Sequence, residues 1–375
     1  MKKSVCVISL SNIASDSRVL RQIEYLSQVY SVVVIGYGKP SMQFAGQADV
    51  VWREIPQPRL DFLRLIKKLF VRLIQAPFMP KTSFAYKIAL AGKCDAYHAN
   101  NWDALPMAAL AAQKNHARLV LDLHESYDAW YWGLSRGLVK SVLRRYVPLV
   151  DHSTTVVGNL AEQHRVFGLA PTVIRNIPVI PRESFQMDKT TGDRVHLVHH
   201  GIASPTRSSD LMIRVMALCD ARYDLHLAFT NLDSHYVKQL RRLADDIAPG
   251  RVTFGPAYPA MEIVKNIAQY DVGFFPIPPK NYNYLITLPN KLFEFIAAGL
   301  AVVIGPSPSM AEIVNEYHCG KVAASFLPEV LAAELDRTTA EQWDQMKRAS
   351  QIAAQQLNAD NEMQKLLEIY QALFS

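Results

Sequence analysis

The chain has 375 residues, half of them apolar, which is more than one hydrophobic core usually supports and enough to build two, so two domains are expected. Its four cysteines, Cys6, Cys94, Cys219 and Cys319, are scattered without Cys-x-x-Cys or Cys/His ligand spacing, which argues against a disulfide framework or a zinc site and suits a reducing cytosol. The net charge of +6 is uneven: residues 1–180 carry 22 Lys/Arg and 12 Asp/Glu, a net of +10, and residues 181–375 carry 18 and 22, a net of −4.

The N-terminal MKKSVCVISLSN has an apolar run too short for a secretory signal and alternates like a strand, and no run approaches the roughly 20 apolar residues of a membrane span. SVCVISL (4–10) reads as a buried strand. A polar loop and the helix RVLRQIEYLSQ follow, then a second strand, SVVVIGYG. This β–α–β opening invites a test of Gly36–Gly38 as a dinucleotide fingerprint. It fails, because there is no third glycine, Pro40 follows, and the pair sits after the second strand. The loop after the first strand is the better substrate contact. Asp16 and Arg18 stand at its helix mouth, where capping and a solvated salt bridge are the competing reading.

Residues 62–93 hold seven basic residues and no acidic one. Arg64, Lys67, Lys68 and Arg72 share one helical face and Phe62, Leu65, Ile66, Leu69, Phe70 and Leu73 the other, so 62–74 reads as a basic amphipathic helix suited to an anionic membrane surface. In 130–146, Trp130, Tyr131 and Trp132 precede Arg136, Lys140, Arg144 and Arg145, again without acid. Aromatics followed by cations resemble an interfacial anchor; for each of the two patches the alternative is a core-packing helix with a wet basic side. No RNP, zinc-finger or helix-turn-helix pattern accompanies the charge, so nucleic acid is not an expected partner.

Strands DAYHA (95–99) and RLVLDL (118–123) flank a helix starting near Leu105–Pro106, and the second strand runs into His124–Glu125. A histidine at the C-terminal end of an α/β strand lies where ligands gather, and its ring can donate to a substrate oxygen, with a structural histidine as the alternative. His98 has weaker claims. STTVV, a helix and PTVIRNIPVIP lead to a boundary near 180–192. A second α/β cycle begins with VHLVHHG (195–201), ending at Gly201, and Arg207 lies in the loop beyond it. Tyr258, after the strand VTFG, is placed either to stack on a base or to pack. In YNYLITLPNKLFEFIAAGLAVVIGP (282–306), Pro289 suits a first helical turn, and a helix start carrying Lys291 suits an anion such as phosphate. Glu294 lies one turn beyond Asn290 on the same side and can take a sugar hydroxyl; a surface ion pair is the plainer reading. The chain closes in helices over about 329–373.

Taken together, SDSRVLRQIEYLSQ, YHANNWDALPMAALAA, LDLHESY, VIRNIPV, HHGIASPTRSSDLMIRVM and above all LPNKLFEFIAAGLAVV followed by EIVNEYHCG resemble glycosyltransferase family 4 over nearly the whole chain. The resemblance implies an α/β fold of two Rossmann-like domains facing across a cleft (GT-B). It implies an acceptor-binding, membrane-facing domain at 1–180, a nucleotide-sugar domain at 193–345, and a C-terminal helix, 346–375, crossing back to the first. It further implies sugar transfer with retention, from a nucleotide sugar to a glycan acceptor, in this chain a lipid-linked one in polysaccharide, lipopolysaccharide or glycolipid synthesis. No metal or other cofactor would be required, and the enzyme would sit on the inner face of the plasma membrane through 62–74 and 130–146.

By position in the motifs, Arg207 corresponds to the residue that binds the diphosphate, with Lys291 assisting, and Glu294 to the second Glu of a Glu-x7-Glu motif, which holds the ribose. Gly201, Asn290 and Tyr258 would complete the donor site. His124 would reach the transferred sugar, and Asp16, Arg18 and Glu125 would face the acceptor. Two positions depart from the pattern: Ile286 stands where the first Glu belongs, and Ile202–Ala203 replace a second basic residue after the first strand of the C-terminal domain. A nucleotide-sugar epimerase or hydrolase of the same fold, and a non-catalytic glycan-binding scaffold, are the alternative functions.

Overall fold

The computed structural model describes residues 2–40, 44, 46–55, 83–126, 133–180 and 190–375. The proposed membrane helix 62–74, the aromatic residues 130–132 and the linker residues 181–189 therefore lie outside the described residues. The chain forms two compact units, Met1–Arg175 with Glu362–Ser375, and Asn176–Asn361.

The first unit is a seven-stranded sheet, every described pairing parallel, in the order β3-β2-β1-β4-β5-β6-β7. Its strands are β1 (Ser4–Asn12), β2 (Ser31–Tyr37), β3 (Val50–Glu54), β4 (Ala96–Asn100), β5 (Arg118–Asp122), β6 (His152–Thr155) and β7 (Thr172–Val173). Its helices are α1 (Ser17–Val29), α2 (Phe84–Gly92), α3 (Leu105–Asn115), α4 (Gly133–Tyr146) and α5 (Gly158–His164). Strand alternation divides β1 between two cores. Cys6 and Ile8 join the cluster that buries α2, α3 and α4, while Val5 and Val7 join Val19, Ile23 and Leu26 of α1 on the opposite face.

The second unit is a six-stranded parallel sheet in the order β10-β9-β8-β11-β12-β13. It comprises β8 (Val195–Gly201), α6 (Asp210–Leu218), β9 (Tyr223–Phe229), α7 (His235–Ile247), β10 (Val252–Pro256), α8 (Ile263–Ile267), β11 (Val272–Phe275), α9 (Tyr282–Leu285), α10 (Asn290–Ala297), β12 (Ala301–Ile304), α11 (Pro308–Glu316), β13 (Gly320–Val322), α12 (Pro328–Asp336) and α13 (Ala340–Gln356). Leu197 faces the cluster around α6 and Trp343, and Val198 faces the cluster around α10 and α11. Gly273 in β11 has no side chain because the Phe295 ring of α10 occupies the place: an added Cβ would lie 2.2 Å from the ring's Cγ.

The last helix, α14 (Ala359–Phe374), packs in the first unit, burying Met363, Leu366 and Tyr370 against the α1 face of the sheet. The Tyr370 hydroxyl is 2.9 Å from His98 Nδ1. Glu362 pins the helix start by accepting from the Arg175 backbone N–H (2.8 Å) and from Lys365 Nζ (2.9 Å). The returning C-terminal helix is thus α14, whereas α13 belongs to the second unit.

In each sheet the strand order reverses once, between β1 and β4 and between β8 and β11. Such switch points open a crevice at the C-terminal strand ends, where ligands of open α/β sheets bind.

Candidate functional site

In the second unit, the loops after β8 and β11 flank the switch point. Gly201 ends β8 at φ +122, a conformation that favours glycine. Asn231 grips the loop beyond it, with Oδ1 accepting from the Ala203 N–H (3.0 Å) and Nδ2 donating to the Ala203 carbonyl (2.8 Å). A short turn, Pro205–Arg207, then presents Arg207, and Lys280 Nζ from the loop after β11 donates to the Pro205 carbonyl (2.9 Å).

Pro289 is the extended N-cap of α10 rather than part of its first turn. Asn290 is exposed, while Lys291 reaches back across the end of β8. A Cβ built on Gly201 would lie 2.7 Å from Lys291 Nζ, so the glycine makes room for the ammonium. Burial and then the Arg207 guanidinium push the Lys291 ammonium from an ordinary 10.5 down to about 8, with Glu294 pulling weakly the other way. Glu294 is 9% exposed. Its Oε2 lies 3.2 Å from Nε2 of the buried His200, whose ring stands edge-on to Phe295.

The neighbouring His199 points to the other face of the sheet. Its Nδ1–H donates to the Phe274 carbonyl (3.0 Å). Burial, then the nearby charge of Lys291, holds its pKa well below the ordinary value. The structure therefore gathers Gly201, Arg207, Lys291 and Glu294 and adds His200, which sequence reasoning missed. Strand parity was the available signal: of two adjacent histidines in β8, one must share the face that α10 covers.

Tyr258 packs against the core that buries α10, its hydroxyl 3.4 Å from that of Tyr270. Ile286 is 4% exposed in the turn before α10, so apolar packing fills the position where the resemblance has a carboxylate.

In the first unit, Asp16 caps α1, accepting from the Val19 N–H (3.2 Å) and from Ser11 Oγ (2.9 Å). Arg18 departs from the acceptor role expected of it. It is 4% exposed, and its guanidinium is committed to Asp122 through Nε (2.6 Å) and Nη2 (2.7 Å) and to the Ile174 carbonyl through Nη1 (2.9 Å). Gln22 Nε2 and Thr154 Oγ1 also donate to Asp122. Burial alone would raise the Asp122 pKa, but the charge and hydrogen bonds of Arg18, followed by His124, hold it well below the usual carboxylate range.

His124 is placed over this buried carboxylate, its Nδ1 3.4 Å from Asp122 Oδ2 and its Nε2 3.2 Å from Asn101 Nδ2. With the amide donating, Nε2 accepts and the ring proton sits on Nδ1, toward Asp122. Asn101 adopts a left-handed backbone (φ 70) at the end of β4, a conformation asparagine tolerates and one that often marks functional loops. Glu125 is exposed beside His124. Asp122 and Asn101 had escaped the sequence reading because only the fold brings Arg18, Asp122 and Asn101 to one strand edge.

In α4, Val139, Val142, Leu143 and Tyr146 are buried in the core, while Arg136, Arg144 and Arg145 are exposed. The described part of the second basic patch is a core-packing helix with a wet basic side. Among the described residues, no helix is long and apolar enough to cross a membrane, and no group of His, Cys, Asp or Glu is arranged to hold a metal ion.

No curated protein matches the chain in sequence. Solved structures share its fold throughout. HepE of Anabaena in complex with UDP-glucose is 15% identical over 98% of this chain and 99% of its own, with a TM-score of 0.67. Sucrose-phosphate synthase of Thermosynechococcus elongatus is 14% identical over 100% and 99%, with a TM-score of 0.72. A glycosyltransferase of Rickettsia africae is 13% identical over 100% and 99%, with a TM-score of 0.70. Residues 17–182, which span α1 to the end of the first sheet, match the profile of Glycosyltransferase Family 4. Residues 17–182 thus carry the profile of Glycosyltransferase Family 4, and the whole chain has the two parallel sheets of the GT-B fold.

Proposed function

We propose that the enzyme transfers a hexosyl group, with retention and without a metal, from a nucleotide sugar held by the second unit to a glycan acceptor, lipid-linked, bound by the first. The observation that carries this reading is the pairing of two cations, Arg207 and Lys291, with one carboxylate, Glu294, at the switch point of the second sheet. A nucleoside diphosphate presents the complementary chemistry, an anion for the cations and ribose hydroxyls for the carboxylate. Its departure as a leaving group develops charge that preorganised cations stabilise, and losing one such group costs on the order of a hundredfold in rate. The UDP-glucose held by HepE, a protein of the same fold, agrees with that class of donor.

In the first unit, His124, oriented by Asp122 and Asn101, would reach the transferred sugar, and Asp16 and Glu125 would meet the acceptor. The exposed arginines of α4 would hold the enzyme at an anionic inner leaflet by charge rather than by insertion.

The test is calorimetric titration of the intact chain with UDP, GDP, ADP, CDP and dTDP, followed by transfer assays with sugars of whichever nucleotide binds. Arg207→Ala and Glu294→Ala are expected to abolish transfer with the fold retained. Binding of none of the five diphosphates would overturn the reading. Release of a free sugar or epimer without any glycoside would replace the transferase with a hydrolase or epimerase.

A further inference from the structure

His200 is the last residue but one of β8 and is 5% exposed. Its Nε2 is 3.2 Å from Glu294 Oε2, within hydrogen-bond reach but imperfectly aligned, and among the described residues it has no other partner. Catalytic-site contacts of this kind are often loose until a ligand draws the partners into line. The opposite carboxylate oxygen, Oε1, has no partner among the described residues. A carboxylate on α10 thus has one oxygen facing a ring nitrogen of the sheet, within reach of a hydrogen bond. The ring's position is fixed independently, edge-on to Phe295 at 5.5 Å and 83°, and Phe295 is itself seated on Gly273. The charged groups grouped around this pair are Lys291 on the same helix, Arg207 on the loop after β8 and the neutral His199 on the strand itself.

We propose that His200 is the positioning residue of Glu294: its Nε2–H holds Oε2, so that Oε1 is presented to a hydroxyl of the bound nucleotide. The proposal rests on the reading of Glu294 as the donor-holding carboxylate. It gives β8 a second role besides making room for Lys291 at Gly201. It also accounts for a polar ring buried on a sheet face whose other neighbours, Val198 and Phe295, are apolar. Glutamine in place of His200 would keep an N–H donor of similar reach, whereas leucine would keep the bulk and remove the donor.

The experiment is a double-mutant cycle on the full chain, made of His200→Leu, His200→Gln, Glu294→Gln and the double variant His200→Leu/Glu294→Gln. The probe is whichever of UDP, GDP, ADP, CDP and dTDP binds the unmodified chain most tightly, measured by calorimetry alongside KM and kcat for its sugar. His200→Leu is expected to weaken nucleotide binding about tenfold, the size expected for a lost hydrogen bond to a charged group, and to raise KM with little change in kcat. His200→Gln should restore binding to within about threefold of the unmodified chain, and His200→Leu should have no further effect once Glu294 is Gln. Equal losses from His200→Leu in both backgrounds, or no rescue by glutamine, would overturn the proposal and leave His200 a packing residue. If Glu294→Gln itself leaves nucleotide affinity unchanged, the reading of Glu294 fails and the proposal falls with it. That outcome differs from the others because it appears without any change at His200.

Discussion

Lys291→Met is expected to make the second unit more stable at neutral pH while removing donor binding. The ammonium is buried beside Arg207, and its pKa of about 8 lies below the ordinary 10.5 of an unfolded lysine. At 1.36 kcal/mol per pH unit, that difference corresponds to roughly 3 kcal/mol. The sign follows from proton counting. Below about pH 8 both states carry the proton, and the folded state bears the full cost of burying the charge. Between about 8 and 10.5 the unfolded chain binds more protons than the folded one, so stability rises with pH until the cost is gone.

Methionine has similar length and no charge, so the variant should gain up to roughly 3 kcal/mol at pH 7, an increase of about 6–12 °C in the melting transition of a unit this size. The gain should shrink as pH rises toward 10. Scanning calorimetry at pH 7 and pH 10, following the transition that Lys291→Met displaces, reads both quantities. The same linkage predicts proton uptake when a nucleoside diphosphate binds at pH 8.5, where the ligand is fully ionised, because an anion restores the ammonium. Calorimetry in two buffers of different ionisation enthalpy measures it. A variant no more stable than the parent at pH 7, or a gain independent of pH, would refute the reasoning.

Arg18→Met should destabilise the first unit by about 3–5 kcal/mol in urea titrations, since it leaves Asp122 ionised and buried without its bidentate partner. The double variant Arg18→Met/Asp122→Leu should cost less than either single change, and additive losses would show that the pair is not one unit. Gly201→Ala places a methyl group 2.7 Å from Lys291 Nζ at a backbone angle that favours glycine. It should lower nucleotide affinity at least tenfold, in line with a displaced charged contact of about 1.5–3 kcal/mol, with far-UV circular dichroism unchanged. Gly273→Ala drives a Cβ into the Phe295 ring and should cost about 1–3 kcal/mol of overpacking, with a parallel loss of nucleotide affinity because α10 carries Lys291 and Glu294.

The alternation of strands and helices was legible because both sheets are parallel and buried on two faces, so their strands read as short apolar runs. The edge strand β3 was not. In VVWRE three of five side chains are exposed, and no apolar alternation marks it. The C-terminal helices were legible as helix but not as three pieces, although Thr339 and Gln342 form a capping box that opens α13 and could have been read from T-x-x-Q. His124 was legible from its place at a strand end. Its setting was not, because Arg18 and Asp122 are 104 residues apart and meet only when β1 and β5 take their places in one sheet. Arg18 illustrates the limit: at a helix mouth it reads as a substrate contact, and only the burial of its guanidinium shows it to be the partner of Asp122.

The buried charges of the second unit fall into two kinds, and the contrast bears on function. Lys347, 5% exposed, meets Asp271 at 3.2 Å and Asp344 at 3.6 Å, and Asp271 also accepts from the His196 N–H. The Thr191 N–H and hydroxyl, the His196 N–H and the Lys347 ammonium supply these two carboxylates with donors from within the chain, as in a structural group. Around Lys291 the balance is different: two cations, one largely buried, share a single carboxylate, and the burial of the ammonium lowers its pKa. An arrangement that destabilises the fold persists when something outside the chain completes it, and perturbed titration in a crevice is the usual mark of such a site. The missing component must be anionic to offset the surplus cation and hydroxylated to use the open carboxylate oxygen. A nucleoside diphosphate has both properties in one molecule; inorganic phosphate or a neutral glycan has only one of them. This is why nucleotide affinity, rather than sugar binding, is the quantity on which the assignment turns.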